Sequence, residues 1–191
     1  MKKYAFIIIL AIGPLFFSFK NLVIPKEKFP LATTVVDTFP VPGNIPGLLF
    51  YIQRDPNTNT ICYEVNIDNR GNVRNADPVH VFWIRYPEGG MRKDLNYFQR
   101  KFAYGINSKS VGNGAYELRS VAYSKLPLYL RRDETNQYHV YTSIEKKECI
   151  LSRVFIRIDG GSFWSPNVLY IELKGKEVAT GKMVIQRIKP S

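Results

Sequence analysis

Five side chains carry the most suggestive chemistry: Arg54, Tyr63, Trp83, Arg85 and Tyr104. An arginine fork pairs with carboxylate or phosphate through parallel N–H donors. Trp and Tyr supply flat faces beside it. Strand alternation puts Arg54 on the face of Leu48, Phe50 and Ile52. It puts Tyr63 with Ile61, Val65 and Ile67, and Arg85 with Val81 and Trp83. If those faces share one interior, a few polar heads enter an apolar space, which is the make-up of a ligand pocket. The competing expectation leaves the arginines at strand ends in water and the aromatics in the core.

Catalytic patterns are missing. The two histidines, His80 and His139, fall on different expected strands and form no His-Glu-x-x-His. With Cys62 and Cys149 they show no zinc-ligand spacing. Gly160-Gly161-Ser162 lacks the closing glycine of a nucleophile elbow. Between Gly175 and Gly181 stand five residues where a phosphate loop needs four, and Met183 occupies its Ser/Thr position. No dinucleotide fingerprint occurs. No catalytic residue, metal or cofactor is therefore expected. An acid–base enzyme would need Glu64, Asp68 and His80 to converge in one cleft, and a thiol nucleophile would need Cys62 or Cys149 beside His80. The cysteines stand 87 positions apart, in two expected strands. In an oxidising compartment they form a disulfide, or else they are two separate buried thiols; both readings stand.

The elements that must position these groups are strands. Period-2 alternation or apolar runs bounded by turn residues predict strands over 48–54, 61–68, 79–86, 116–123, 126–131, 138–144, 149–158, 168–174 and 183–188. On the seventh of these, Arg153 and Arg157 share a face with Leu151 and Phe155. Residues 93–103 read as the one amphipathic helix of the domain, with Leu95, Phe98 and Phe102 on its apolar side. Residues 107–114 read as a loop. The expected fold is mainly β: a single antiparallel β-barrel, lipocalin-like in the loose sense, with a β-sandwich as the alternative.

Ahead of this domain, residues 21–46 carry Pro25, Pro30, Pro40, Pro42 and Pro46 and read as an extended lead, with Val35 and Val36 in a short edge strand. Residues 1–20 pair a basic head, Lys2-Lys3, with an apolar run from Tyr4 to Phe19. That is the pattern of a signal peptide or a retained N-terminal anchor. The expected location is exported, periplasmic or envelope-associated. The domain proper then covers residues 47–191.

The composition, 45% hydrophobic, 14% aromatic and 23% charged over 191 residues, excludes a disordered chain and a polytopic membrane protein. Of the net charge of +11, Lys2, Lys3 and Lys20 supply three, which leaves +8 beyond residue 20. The remaining cations are scattered rather than gathered into a stripe, so nucleic acid is not an expected partner. A small lipid-like or anionic ligand, an anionic membrane surface or an acidic glycan suits this charge better.

Three segments together carry a resemblance. They are Leu49-Phe50-Tyr51-Ile52-Gln53-Arg54 leading to Asn59-Thr60-Ile61-Cys62-Tyr63, then Pro78-Val79-His80-Val81-Phe82-Trp83-Ile84, then Lys101-Phe102-Ala103-Tyr104-Gly105-Ile106. In order and spacing the chain resembles the bacterial family catalogued as domain of unknown function 4833, over residues 47–188. The resemblance implies an exported or envelope-associated β-rich protein and no catalytic residue. Two functions follow as expectations: an exported module that binds a small apolar or anionic amphipathic ligand, or a non-catalytic envelope protein with a filled core.

Overall fold

The structure, a computed structural model, describes residues 39–162 and 165–189. The expected export segment and the strand at Val35 and Val36 lie outside the described residues. The strands are β1 (Leu48–Asp55), β2 (Thr60–Val65), β3 (Val79–Arg85), β4 (Met91–Asp94), β5 (Ile106–Gly112), β6 (Ala115–Ser120), β7 (Leu128–Arg132), β8 (Tyr138–Ile144), β9 (Lys147–Gly161), β10 (Pro166–Glu177) and β11 (Met183–Ile188).

Two antiparallel meanders, β1–β4 and β5–β8, meet at β9. β8 pairs antiparallel with the start of β9, and β1 pairs parallel with Arg153–Arg157 further along. Both occupy the same edge of β9, because β10 fills the other edge along nearly its whole length, and β11 lies outside β10. The parallel pair makes the sheet mixed, and its path ends at β4 and β5, which do not pair. The expected antiparallel barrel is thus corrected to an open mixed sheet. A parallel neighbour requires a long crossover, and here the whole of β2–β8 is that crossover. Strand periodicity carries no signal of it.

One apolar core joins the two meanders. Ile61 and Tyr63 of β2 belong to the same cluster as Leu118, Leu130 and Val140 of β6–β8, and Leu151 and Leu173 of β9 and β10 close it. Most of these side chains are fully buried. Each such Leu or Ile contributes about 1.5–3 kcal/mol by leaving water.

β9 serves this core with both halves because it carries a bulge. Leu151 pairs with Gly175 but Arg153 pairs with Lys174, so Ser152 is an extra residue. Its hydroxyl donates to the Lys174 carbonyl at 2.9 Å. A bulge inverts the alternation beyond it. Cys149 and Leu151 face the core before it, and Val154 and Ile156 face the core after it. The expectation that Leu151 shares a face with Arg153, Phe155 and Arg157 is corrected by this shift. Arg153 and Phe155 lie on the reverse face, where Arg153 sits 4.9 Å from the Phe155 ring centroid. There the lead packs down too: Phe39 meets Phe155 edge-on at 5.4 Å, and Gln53 Nε2 donates to the Pro40 carbonyl at 2.8 Å.

Two local expectations also change. Residues 107–114 mostly form β5, which pairs with β6 from Ile106↔Ser120 to Gly112↔Ala115. Beyond half-buried Ile106 its residues are exposed, and all but Val111 and Gly112 are polar, as suits an edge strand, so alternation has little to report. The expected helix over 93–103 is shorter and starts later. Met91–Asp94 joins the sheet as β4, followed by a helical turn α1 (Tyr97–Gln99) and a wide π-type turn over Arg100–Tyr104. Leu95 is buried, but Phe98 and Phe102 are 67% and 56% exposed. Two of the three residues on the expected apolar side therefore face water.

Gly175 shows how tightly β9 and β10 close at the bulge. A Cβ there would stand 2.7 Å from the Ile150 carbonyl oxygen and 2.8 Å from Ile144 Cδ1. Backbone cannot yield as a flexible side chain does, so Gly175→Ala is expected to cost about 1–3 kcal/mol. Urea unfolding measures it; an unchanged midpoint would contradict this packing.

Candidate functional site

The register builds the site one row at a time. Phe50, Tyr63 and Val81 form one cross-strand row on the core face of β1–β3. Ile52, Ile61, Trp83 and Lys93 form the next. One step further out, Arg54 and Arg85 leave the core on the same face, beside Asn59 in the β1–β2 turn. Here the sheet face opens into a cleft of about 260 Å³, lined by these three residues together with Trp83, Asn57, Lys93 and the carboxylate-bearing Asp94, and by Asn96 and Gln99 at the start of α1.

The residues singled out by type do meet. The Arg54 guanidinium carbon lies 5.4 Å from the Trp83 ring centroid and 5.3 Å from that of Tyr104. Trp83 and Tyr104 meet edge-on at 5.1 Å. A cation over two aromatic faces gains about 0.5–2 kcal/mol by attraction to the ring quadrupoles. Burial raises the Tyr104 phenol above its ordinary pKa and the Arg54 charge opposes that shift. Tyr63 acts from behind. It stacks on Phe50 at 4.3 Å, and its hydroxyl donates to the Tyr104 carbonyl at 2.9 Å. Being fully buried, Tyr63 positions Tyr104 and does not line the cleft. Arg85 lines the cleft but is held by an ion pair to Glu88.

Three polar atoms give the cleft its chemical character. Arg54 Nε, Asn59 Oδ1 and Trp83 Nε1 are buried with no hydrogen-bond partner among the described residues. No carboxylate among the described residues forms an ion pair with Arg54. An unsatisfied buried donor or acceptor costs about 1–3 kcal/mol, and here three of them gather at one recess. A second recess beside Asn75, Tyr116 and Arg132 has similar size, but no such atom lines it.

Asn57, Asn59, Asn96 and Gln99 escaped the sequence reading. The two in the β1–β2 segment look like plain turn residues, and Asn57 does accept the Asn59 N–H at 2.9 Å. Asn96 and Gln99 satisfy each other as a capping box. The side chains of Asn57, Asn96 and Gln99 thus make local hydrogen bonds as well as lining the cleft.

The acid–base candidates lie on the reverse face of the same strands. His80 Nδ1 stands 2.8 Å from Glu64 Oε1, and Nε2 stands 3.0 Å from Asp94 Oδ1. Arg92 pairs with the same Glu64 and covers the Phe82 ring at 3.6 Å. Both His80 nitrogens are thus engaged by carboxylates. Asp68 is elsewhere, accepting the N–H groups of Arg70 and Asn72 at a turn. His139 is bound to Asp133 at 3.0 Å. That carboxylate also accepts the Thr135 hydroxyl and the Gln137 and Thr135 N–H groups, which hold it down to about 2. Among the described residues no three His, Cys, Asp or Glu side chains gather into a cation site.

Cys62 and Cys149 are separate thiols, not a bridge. Cys62 faces away from the core opposite Phe82, whereas Cys149 belongs to the core cluster. Burial pushes the Cys62 thiol up to about 12, against the pull of Arg92, and raises Cys149 as well.

The family profile for the domain of unknown function DUF4833 matches residues 50–187. The chain belongs to the DUF4833 family. The matched span begins inside β1 and ends inside β11, so it contains every residue of the cleft. No curated protein and no solved structure matches the chain.

Two measurements check the thiols of this DUF4833 domain. Denatured, non-reduced protein is expected to yield two free thiols; finding none would restore the bridge. A raised thiol pKa stabilises the fold fully below the ordinary value of 9.0, and that contribution is lost as pH climbs toward about 12. Unfolding midpoints are therefore expected to fall more steeply over this window in the natural protein than in Cys62→Ala. Parallel curves would contradict it.

Proposed function

We propose that this DUF4833 protein is a non-catalytic, exported binding protein of the cell envelope. Its cleft takes a small, polar, anionic group, a carboxylate or a phosphate, with Arg54 as the principal anchor. The observation that carries this reading is the pair of buried donors without a partner among the described residues, Arg54 Nε and Trp83 Nε1, around one recess; Asn59 Oδ1, an acceptor, suits a hydroxyl on the same guest. A guanidinium held by two rings, with no carboxylate partner among the described residues, keeps its fork free for two oxygens of a carboxylate or a phosphate. Lys93 adds a second positive charge at the same mouth.

The amphipathic form of the ligand idea loses its apolar half. Tyr63, Phe82 and Trp83 are buried and tightly packed, and the core cluster is continuous. That filled interior favours the second reading, an envelope structural or interaction protein. One core shared by both meanders favours a sandwich-like folding of the open sheet. Export rests on the basic head and apolar run of residues 1–20.

Titration calorimetry with inorganic phosphate and with a hexuronate tests the cleft. Charge-assisted hydrogen bonds contribute about 1.5–3 kcal/mol, so Arg54→Gln is expected to weaken binding about tenfold or more. Lys93→Gln is expected to weaken it less and to keep the natural unfolding midpoint, whereas Arg54→Gln is expected to lower stability by no more than the lost ring attraction, about 0.5–2 kcal/mol, while remaining folded. Equal affinity in Arg54→Gln, or no saturable binding of either anion, would overturn the proposal and leave the structural reading.

A further inference from the structure

We infer that the segment from Met91 to Phe102 is a docking surface for an anionic phospholipid bilayer. The inference is independent of the anion cleft. Its starting point is the apolar side that fails to bury. Met91, Tyr97, Phe98 and Phe102 are 53%, 66%, 67% and 56% exposed. The three rings form a patch and not scattered single residues: Tyr97 meets Phe98 at 5.6 Å, and Phe98 meets Phe102 at 6.4 Å. Adjacent exposed aromatics are a cost to a protein surrounded by water alone, and they mark interaction sites.

The exposure is built and held. Asn96 and Gln99 cap the start of α1 reciprocally, at 2.9 and 3.0 Å. The wide turn over Arg100–Tyr104 is tied to the core through the Tyr104 carbonyl and the Tyr63 hydroxyl. Gly105 closes it, since any Cβ there would stand 2.0 Å from the Arg100 carbonyl oxygen. Buried Leu95 anchors the near end. Fraying therefore does not explain rings that point outward.

Charge selects the occupant. Lys101 lies between the rings, its Nζ 5.4 Å from the Tyr97 and Phe102 centroids and 3.0 Å from the Tyr97 hydroxyl. It has no carboxylate partner among the described residues. Arg100 stands beside it, 3.6 Å from exposed Asp77. Phe side chains that can enter the acyl boundary, a Tyr hydroxyl at headgroup depth and a lysine at phosphate depth together match an anionic membrane surface. Juxtamembrane cations are drawn to such a surface within a Debye length. A protein groove would suit the rings but would not call for the lysine set among them.

Co-sedimentation of the full chain with vesicles tests this, using phosphatidylcholine alone and a mixture with phosphatidylglycerol. The natural chain is expected to partition more strongly onto the mixed vesicles, and less as salt rises. The double substitution Phe98→Ser with Phe102→Ser is expected to reduce that partition about tenfold or more, with an unchanged unfolding midpoint because both rings are exposed. Lys101→Glu is expected to remove most of the preference for phosphatidylglycerol. Phenylalanine variants that bind mixed vesicles like the natural chain would overturn the inference and place any binding elsewhere, in residues 1–20 or the cleft. Equal binding to both vesicle types would overturn it too.

Discussion

Ser152 is one residue more than the ladder between β9 and β10 can pair, and the architecture turns on that surplus. A strand without a bulge presents every second side chain to one side. β9 must supply core residues to the β5–β8 meander with its first half and to the β1–β4 meander with its second. The extra residue lets it start as Cys149 and Leu151 and continue as Val154 and Ile156 without turning a charged side chain inward. Arg153 goes to the reverse face as a result. Gly175 across the ladder has no side chain because the two backbones approach too closely there.

The cleft follows from the same sheet by simple extension. Its floor is the row of side chains just beyond the last apolar row, where the β1–β3 face continues but the opposite meander no longer covers it. Trp83 sits on the boundary, with its ring in the core cluster and its Nε1 without a partner. Tyr63 transmits the order of the core to Tyr104 through one hydrogen bond, and Tyr104 in turn holds Arg54. The same hydrogen bond fixes the turn whose outer side carries the exposed rings. The recess and the aromatic patch are therefore two sides of one short segment.

Much of the site was legible because alternation is a strictly local property. Arg54, Trp83 and Arg85 could be assigned faces from their own strands, and antiparallel neighbours with matching apolar rows bring those faces together. Tyr63 could not be told from a lining residue, since its role depends on a hydroxyl reaching a carbonyl 41 residues away. The parallel β1–β9 pair, the bulge at Ser152 and the polar edge strand β5 left no mark in periodicity. The first is a matter of topology, the second is a single residue, and the third is a strand with no buried face to pattern. The stripe Leu95, Phe98 and Phe102 misled because its spacing announces a shared side without saying what that side touches. Of the three, Leu95 alone is buried.

The pairing of β1 with β9 has a consequence in time. A chain emerging from its amino-terminal end makes β1–β4 first, and their antiparallel ladders can form at once. The outer edge of β1 nevertheless stays open until β9 arrives, after the whole second meander has been made. Open edges recruit foreign strands, and contacts this distant in sequence are slow to form. Until its ninth strand exists, this protein is a half-finished template, exposed to chaperones and to neighbouring copies of itself.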